Sequence, residues 1–161
     1  MSEPYKLLFL CTGNSARSII GEYLLRHHGG SRFTVYSAGA FPTGIVNPWA
    51  IKVLKDCFYI DASDARSKSW EEFKEVSFDF VITVCDNARE TCPIWPGQPI
   101  VAHWSSPDPA AVEGSDEEKY RAFEEVTFQI NRRLQLFMSL PLEKLDPLEL
   151  AAATTEIGNK S

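Results

Sequence analysis

Leu7-Leu8-Phe9-Leu10-Cys11-Thr12-Gly13-Asn14-Ser15-Ala16-Arg17-Ser18 is the stretch that decides the fold. An apolar run enters a cysteine and a short loop of small residues follows. Arg17-Ser18 then opens a helical pattern with Ile20, Tyr23, Leu24 and His27 on one face. A strand that turns into a helix through such a loop builds an oxyanion pocket. The backbone N–H groups of Thr12, Gly13, Asn14, Ser15 and Ala16 point inward, and the helix N-terminus adds positive potential. The Arg17 guanidinium grips two oxygens at once. Asn14 and Ser18 are read as holding the loop and donating to the sulfur. This field is expected to lower the Cys11 pKa, so that a thiolate attacks a bound tetrahedral oxyanion. The competing reading makes Cys11 one more small buried residue at a strand end. Core packing, however, asks for no arginine closing a glycine turn.

Outward from this stretch, strand and helix signals alternate. Residues 5–10, 32–37, 78–84 and 100–102 read as strands, and residues 18–28 as a helix stopped by Gly29-Gly30. Asn47-Pro48 reads as an N-cap with proline at the first helical position, before an apolar stripe of Ala50, Val53, Leu54 and Cys57. Ser69 with Glu72, and Ser115 with Glu118, suggest capping boxes. The second box opens a long helix buried through Tyr120, Phe123, Ile130, Leu134 and Phe137 and stopped at Leu140-Pro141. Asp146-Pro147 starts a last short helix, and residues 158–161 are expected to fray. Such alternation implies an α/β domain with a parallel sheet covered on both faces. Ligands then sit beyond the carboxyl ends of the strands, where Cys11, Cys85 and the loop after Ala102 all fall.

The chain has 161 residues, 44% hydrophobic and 24% charged, which suits one ordinary globular domain with its own core. The expected division is a catalytic unit at residues 1–141 and an extension at 142–161 that packs on it or trails from it. A net charge of −6 argues against nucleic acid or an anionic membrane as partner, so an anionic substrate must be drawn in by a local pocket. The N-terminus lacks a basic region and a long apolar segment, from which a cytoplasmic address is expected. Thiols stay reduced there, so the four cysteines are not read as structural disulfides.

Cys85 follows its strand directly, and Cys92-Pro93 lies seven residues on in a polar segment. Zinc would need further ligands, and the chain has no C-x-x-C and only His27, His28 and His103. No metal is therefore expected. A bland reading buries Cys85 at a strand end and leaves Cys92 as an incidental loop thiol. A third reading is a redox relay in which Cys85 reaches Cys11 across the sheet top and Cys92 approaches Cys85. Cys57 reads as core. His27 reads as half-buried and His28 as exposed near a helix end, and His103 is given no chemistry. Beyond the fourth strand, Asp108 stands on a loop stiffened by Pro107 and Pro109. It suits a general acid protonating a leaving oxygen, or equally a turn-forming aspartate.

Taken together, Cys11 through Arg17-Ser18, Cys85-x6-Cys92-Pro93, His103-Trp104 and Asp108-Pro109 resemble arsenate reductases of the low-molecular-weight protein tyrosine phosphatase superfamily, thioredoxin-linked type. The resemblance runs to about Pro141. It implies a single three-layer domain with a four-stranded parallel sheet and helices on both faces. It also implies arsenate as substrate, with phosphate or sulfate as mimics, and arsenite as product. By the same resemblance Cys11 is the nucleophile, Arg17 the oxyanion clamp, Asp108 the proton donor, Cys85 the thiol that displaces arsenite and Cys92 the end of the relay. Thioredoxin, or glutaredoxin with glutathione, resets the enzyme, which needs no cofactor and is expected to be a monomer. Thioredoxin-linked members are similar at Asn14, Glu22 and Ser37, which help to coordinate potassium beneath the loop. Lys68 stands where their further acid would be, so an ammonium is expected to replace the ion.

A tyrosine phosphatase of the same superfamily is the alternative activity. Such enzymes resemble C-x-G-N-x-C-R-S, where this chain has Ala16, and carry aromatics after the Asp-Pro pair, where Ala110-Ala111 stand here. Weak phosphatase side activity is expected from the shared shape of the two oxyanions. A non-catalytic oxyanion or redox sensor is the alternative from another class, though a sensor has no use for Asp108 as an acid.

Overall fold

A computed structural model describes residues 3–85 and 95–160 of the chain. Its sheet contains β1 (Tyr5–Cys11), β2 (Phe33–Gly39), β3 (Phe80–Thr83) and β4 (Ile100–His103) in the order β2-β1-β3-β4. Every pairing is parallel, with Cys11 opposite Gly39, Leu10 opposite Thr83 and Thr83 opposite His103. The four-stranded parallel sheet expected from the alternating pattern is thus present. β1 runs one residue further than the apolar run suggested, so Cys11 closes the strand, and β2 reaches Gly39. The ladder to β2, not local hydrophobicity, sets both ends. From β1 the chain moves to one side to form β2, then crosses to the other to form β3. That reversal leaves a crevice at the carboxyl ends of β1 and β3, the place where such sheets hold ligands.

The described α-helices are α1 (Arg17–Gly29), α2 (Pro48–Phe58), α3 (Asp116–Met138) and α4 (Pro147–Ile157). Asn47 caps α2 by accepting from the Trp49 N–H, with Pro48 in the first turn. Ser115 and Glu118 form the expected capping box on α3. A second box, Asp146 with Glu149, starts α4. The Ser69–Glu72 box is corrected. Ser69 caps a single 3-10 turn through the Glu71 N–H, while both Glu72 oxygens go to Arg66 at 2.7 and 3.1 Å. A bidentate guanidinium outcompetes one backbone N–H for a carboxylate.

Phe9, Phe33, Phe80 and Trp104 form the aromatic core of one face against Phe137 of α3, and α1 lies beside them. On the other face Tyr36 and Phe78 meet Phe73 of the 3-10 turn and Trp95. Leu7, Leu8, Phe9 and Leu10 have no exposed surface, as expected for a strand buried on both sides. α1 is buried from Ser18 through Leu25, and only its last turn emerges, so His27 is exposed and not half-buried. Gly158 and Lys160 do not fray in the expected manner, because their carbonyls accept from Arg133 of α3 at 3.2 and 3.0 Å.

Candidate active site

The loop from Cys11 to Ala16 is held by β2 and the chain that follows it. Ala40, Phe41 and Thr43 donate backbone N–H groups to the carbonyls of Cys11, Thr12 and Gly13 at 3.0, 2.9 and 3.0 Å. Asn47 N–H reaches Ser15 O at 2.8 Å, and Ser67 Oγ donates to Gly13 O at 3.1 Å. With its carbonyls tied outward, the loop is free to turn its amides toward the pocket. Gly39 permits the close fit, since a Cβ there would lie 2.6 Å from Thr12 O. Asn14 takes a left-handed φ of 46°, and its own N–H donates to Cys11 Sγ at 3.2 Å. Ser18 Oγ lies 2.8 Å from the same sulfur.

Cys11 is 3% exposed. Burial pushes its thiol pKa up, against the downward pull of the Ser18 hydroxyl and backbone and the Asn14 amide, with Cys85 adding to the rise. The expectation of a lowered pKa in the resting site is therefore corrected: desolvation outweighs the donors. The donors still face the sulfur, so a thiolate at Cys11 would meet them at once.

Arg17 projects from the first turn of α1 and donates through Nη1 to Ser106 O at 2.9 Å. Its Nη2 lies 3.9 Å from Asp108 Oδ2. Asp108 is half-exposed and caps its own turn by accepting the Ala110 N–H at 3.0 Å. Cys85 is 6% exposed, and its sulfur touches Thr12 Oγ1 at 3.2 Å. A cleft of about 650 Å³ gathers Cys11, Cys85, Arg17, Asp108, Thr43 and Ala110. Cys92 lies outside the described residues.

Beneath the loop is a buried polar bed. Asn14 Nδ2 donates to Ser18 Oγ and Ser37 Oγ at 2.7 and 3.1 Å, and Ser37 Oγ donates to Glu22 Oε1 at 2.6 Å. Lys68 Nζ donates to Ser37 Oγ, Arg66 O and Asn14 Oδ1 at 3.0, 3.0 and 3.4 Å and lies 3.8 Å from Glu22 Oε1. Arg26 pairs with the other Glu22 oxygen. Burial lowers the Lys68 pKa and Glu22 opposes the shift. The oxygens of Asn14, Ser37 and Glu22 thus already face an ammonium, which leaves this donor set unsuited to a potassium ion as well.

Cys57 is corrected from core to half-buried. Its sulfur sits 4.0 Å from Tyr120 Oη and 3.8 Å from Glu124 Oε2, in the seam between α2 and α3. Three participants were absent from the sequence reading. Thr43 lines the cleft, Ser67 clamps the loop and Ser106 anchors Arg17. The sequence offers no local signal for the first two, while Ser106 lies beside the Pro107-Asp108 pair already singled out.

The model of the family described as low molecular weight phosphotyrosine protein phosphatase matches residues 6–147. The chain belongs to that family. Within it, the chain is 39% identical over 131 residues to an arsenate reductase of Halalkalibacterium halodurans, which is 81% of this chain and 93% of that protein. Among solved structures, a thioredoxin-dependent arsenate reductase of Corynebacterium glutamicum superimposes with a TM-score of 0.64 and 30% identity. That match covers 89% of this chain, which spans 65% of that protein's length. An arsenate reductase in a phosphate-binding state gives 0.66 at 28% identity, covering 81% of this chain and 94% of the other. Among the described residues of this phosphatase-family protein, no helix is long and apolar enough to cross a membrane.

Proposed function

We propose that this protein reduces arsenate to arsenite with Cys11 as nucleophile and a second thiol as reductant. One observation carries the reading: Cys11 and Cys85 line the same cleft, beside Arg17 and Asp108. In this reading, the amides of residues 12–16 and the Arg17 guanidinium hold the oxyanion. A buried thiol meeting a dianion carries the same protons as a thiolate meeting a monoanion, so the Cys11 proton passes to the substrate as the charge enters. Cys11 sulfur bonds to arsenic, and Asp108 protonates the departing hydroxyl, which leaves as water. Cys85 as thiolate then attacks the Cys11 sulfur. The sulfur–sulfur bond forms, the sulfur–arsenic bond breaks, and its electron pair reduces As(V) to As(III). Attack of Cys92 on Cys85 frees Cys11 and leaves a Cys85–Cys92 disulfide for an external dithiol. Thioredoxin is the proposed dithiol, by likeness to the Corynebacterium glutamicum protein. The relay begins from reduced thiols, which suits the cytoplasm.

Phosphomonoester hydrolysis would use the same loop and acid. Among the described residues lining the cleft, none is aromatic, and Ala110 stands beside Asp108. That favours a small inorganic oxyanion over an aryl phosphate. Beneath the loop, Lys68 is proposed to serve as a built-in counter-ion. The test is arsenite release by purified protein with thioredoxin or glutaredoxin as reductant. Cys92→Ser is expected to complete one turnover and stall with Cys11 joined to Cys85 in a mass map. Absence of arsenite with either reductant, alongside retained anion binding, would establish the sensor reading instead.

A further inference from the structure

The family match ends at residue 147, so nearly all of α4 lies beyond it. This added helix packs against β4 and α3. Trp104, 1% exposed, donates its indole N–H to Thr154 O at 3.0 Å. Gly158 lies so close beneath β4 that a Cβ there would collide with the His103 carbonyl. Between the added segment and the catalytic loop stands Arg133 of α3, 5% exposed. Its Nε donates to Lys160 O at 3.0 Å and its Nη2 to Gly158 O at 3.2 Å. Its Nη1 reaches the other way, to Ser105 O at 2.8 Å and Ser106 Oγ at 3.3 Å.

Ser106 has no idle polar atom. Its N–H donates to Val84 O at 3.2 Å, one residue before Cys85, and its carbonyl receives Arg17 Nη1. Two residues on stands Asp108. The shelf that aims the oxyanion clamp and the proton donor is therefore fastened to the C-terminal segment by a planar guanidinium, beside the Trp104–Thr154 hydrogen bond. A buried arginine costs heavily in desolvation, and burial lowers its pKa here. Solvation by four neutral oxygens from two segments is a specific device for holding those segments together, because the fork has fixed geometry.

We infer that Arg133 is a positioning residue for the active site, coupling the C-terminal helix to Arg17 and Asp108 through Ser105 and Ser106. The inference rests on the oxyanion-reduction reading above. It predicts that loosening Arg133 disturbs anion binding and the acid-dependent step more than overall stability explains.

The experiment uses the full chain with Arg133→Met, Arg133→Lys and Val53→Ala, the last a core variant of α2 chosen to match Arg133→Met in melting temperature. Inorganic phosphate is titrated calorimetrically, and single-turnover arsenate reduction is followed at saturating arsenate. Arg133→Met is expected to weaken phosphate about tenfold and to slow the saturated step about tenfold. Arg133→Lys, which keeps the charge but loses the fork, should recover part of each, and Val53→Ala should change neither by more than about twofold. Unchanged binding and rate in Arg133→Met would overturn the inference while leaving the function intact. So would equal losses in Val53→Ala. Should Arg133→Met fail to fold, Ser106→Ala removes one anchor of the shelf and is expected to show the same direction of change. A wild-type chain that binds no phosphate would overturn the underlying reading, and this inference with it.

Discussion

Two thiols in this molecule sit at different depths and meet different neighbours. Burial raises the pKa of both Cys11 and Cys57. Around Cys11 a hydroxyl of α1 and a loop amide lower it again, while Cys85 adds to the rise. Around Cys57 the Tyr120 hydroxyl lowers the pKa, but Glu124 and Asp56 add negative charge and raise it further. Exposure alone would favour the half-buried Cys57 as the reactive thiol. On the proposed reading, the comparison teaches that reactivity follows where donors point when the sulfur gains charge, not how much water it touches.

The sharpest way to break this contrast is substitution. Cys11→Ser is expected to lower arsenate reduction by at least about 1000-fold, as removal of a nucleophile does. Cys57→Ser should stay within about twofold of the parent. A steady-state assay with thioredoxin reads both, and loss of activity in Cys57→Ser would overturn the distinction.

The bed beneath Cys11 sharpens it next. Lys68 and Glu22 side chains are each 7% exposed, so Lys68→Met strands much of a buried charge. Arg26 remains on Glu22, which holds the expected loss to about 2–4 kcal/mol. Thermal unfolding should show this fall, and potassium should then raise the melting temperature of the variant but not of the parent. A clear potassium effect on the parent would reject Lys68 as the counter-ion.

Alkaline pH gives a smaller effect. A thiol whose pKa is raised in the folded chain keeps its proton where the unfolded chain has lost it. Stability from this source is whole below the unfolded thiol value of about 8.5 and declines as pH climbs above it. Cys11→Ser should flatten the decline seen between pH 8 and 10 in urea unfolding more than Cys57→Ser does, because Cys11 is the more deeply buried. Equal flattening would show that the two environments cost the same.

Much of this arrangement was legible in sequence, and the reasons differ by element. The Cys11 loop is local: apolar run, glycine turn and helix start sit within twelve residues, and short-range physics fixes them. Ser115 and Glu118 obey the same rule, and Asp146 with Glu149 carried the spacing of a capping box on α4. Ser69 with Glu72 has the right spacing too, but Arg66 took the carboxylate. Arg133, within Asn131-Arg132-Arg133, reads as a solvated helix residue, because its partners at 105, 106, 158 and 160 are remote in sequence. Cys57 departs from the expected core position because an apolar stripe shows which face a residue occupies, not what stands opposite. Glu22, Ser37 and Lys68 were visible only through resemblance, since nothing in their spacing announces a shared cluster.

The smallest expected effect lies just past Cys57, where Tyr59 ends α2 at φ 57° and is 91% exposed. Glycine is the residue suited to that backbone. Tyr59→Gly should stabilise by roughly 0.5–1 kcal/mol, after the greater freedom of the unfolded glycine is discounted. A melting scan detects it, and a loss of stability would mean that Tyr59 makes a contact worth more than its strain.

Asn14 pays a similar conformational toll at φ 46°, but inside the pocket and with its side chain fully bonded. The difference lies in timing. Its amide is aimed during folding, before any anion arrives, so the encounter need not wait for the loop to order itself. Association is then governed by diffusion and by the shedding of the anion's own hydration shell. The heat of binding should come mainly from exchanging water for fixed dipoles, with little entropy lost by the protein.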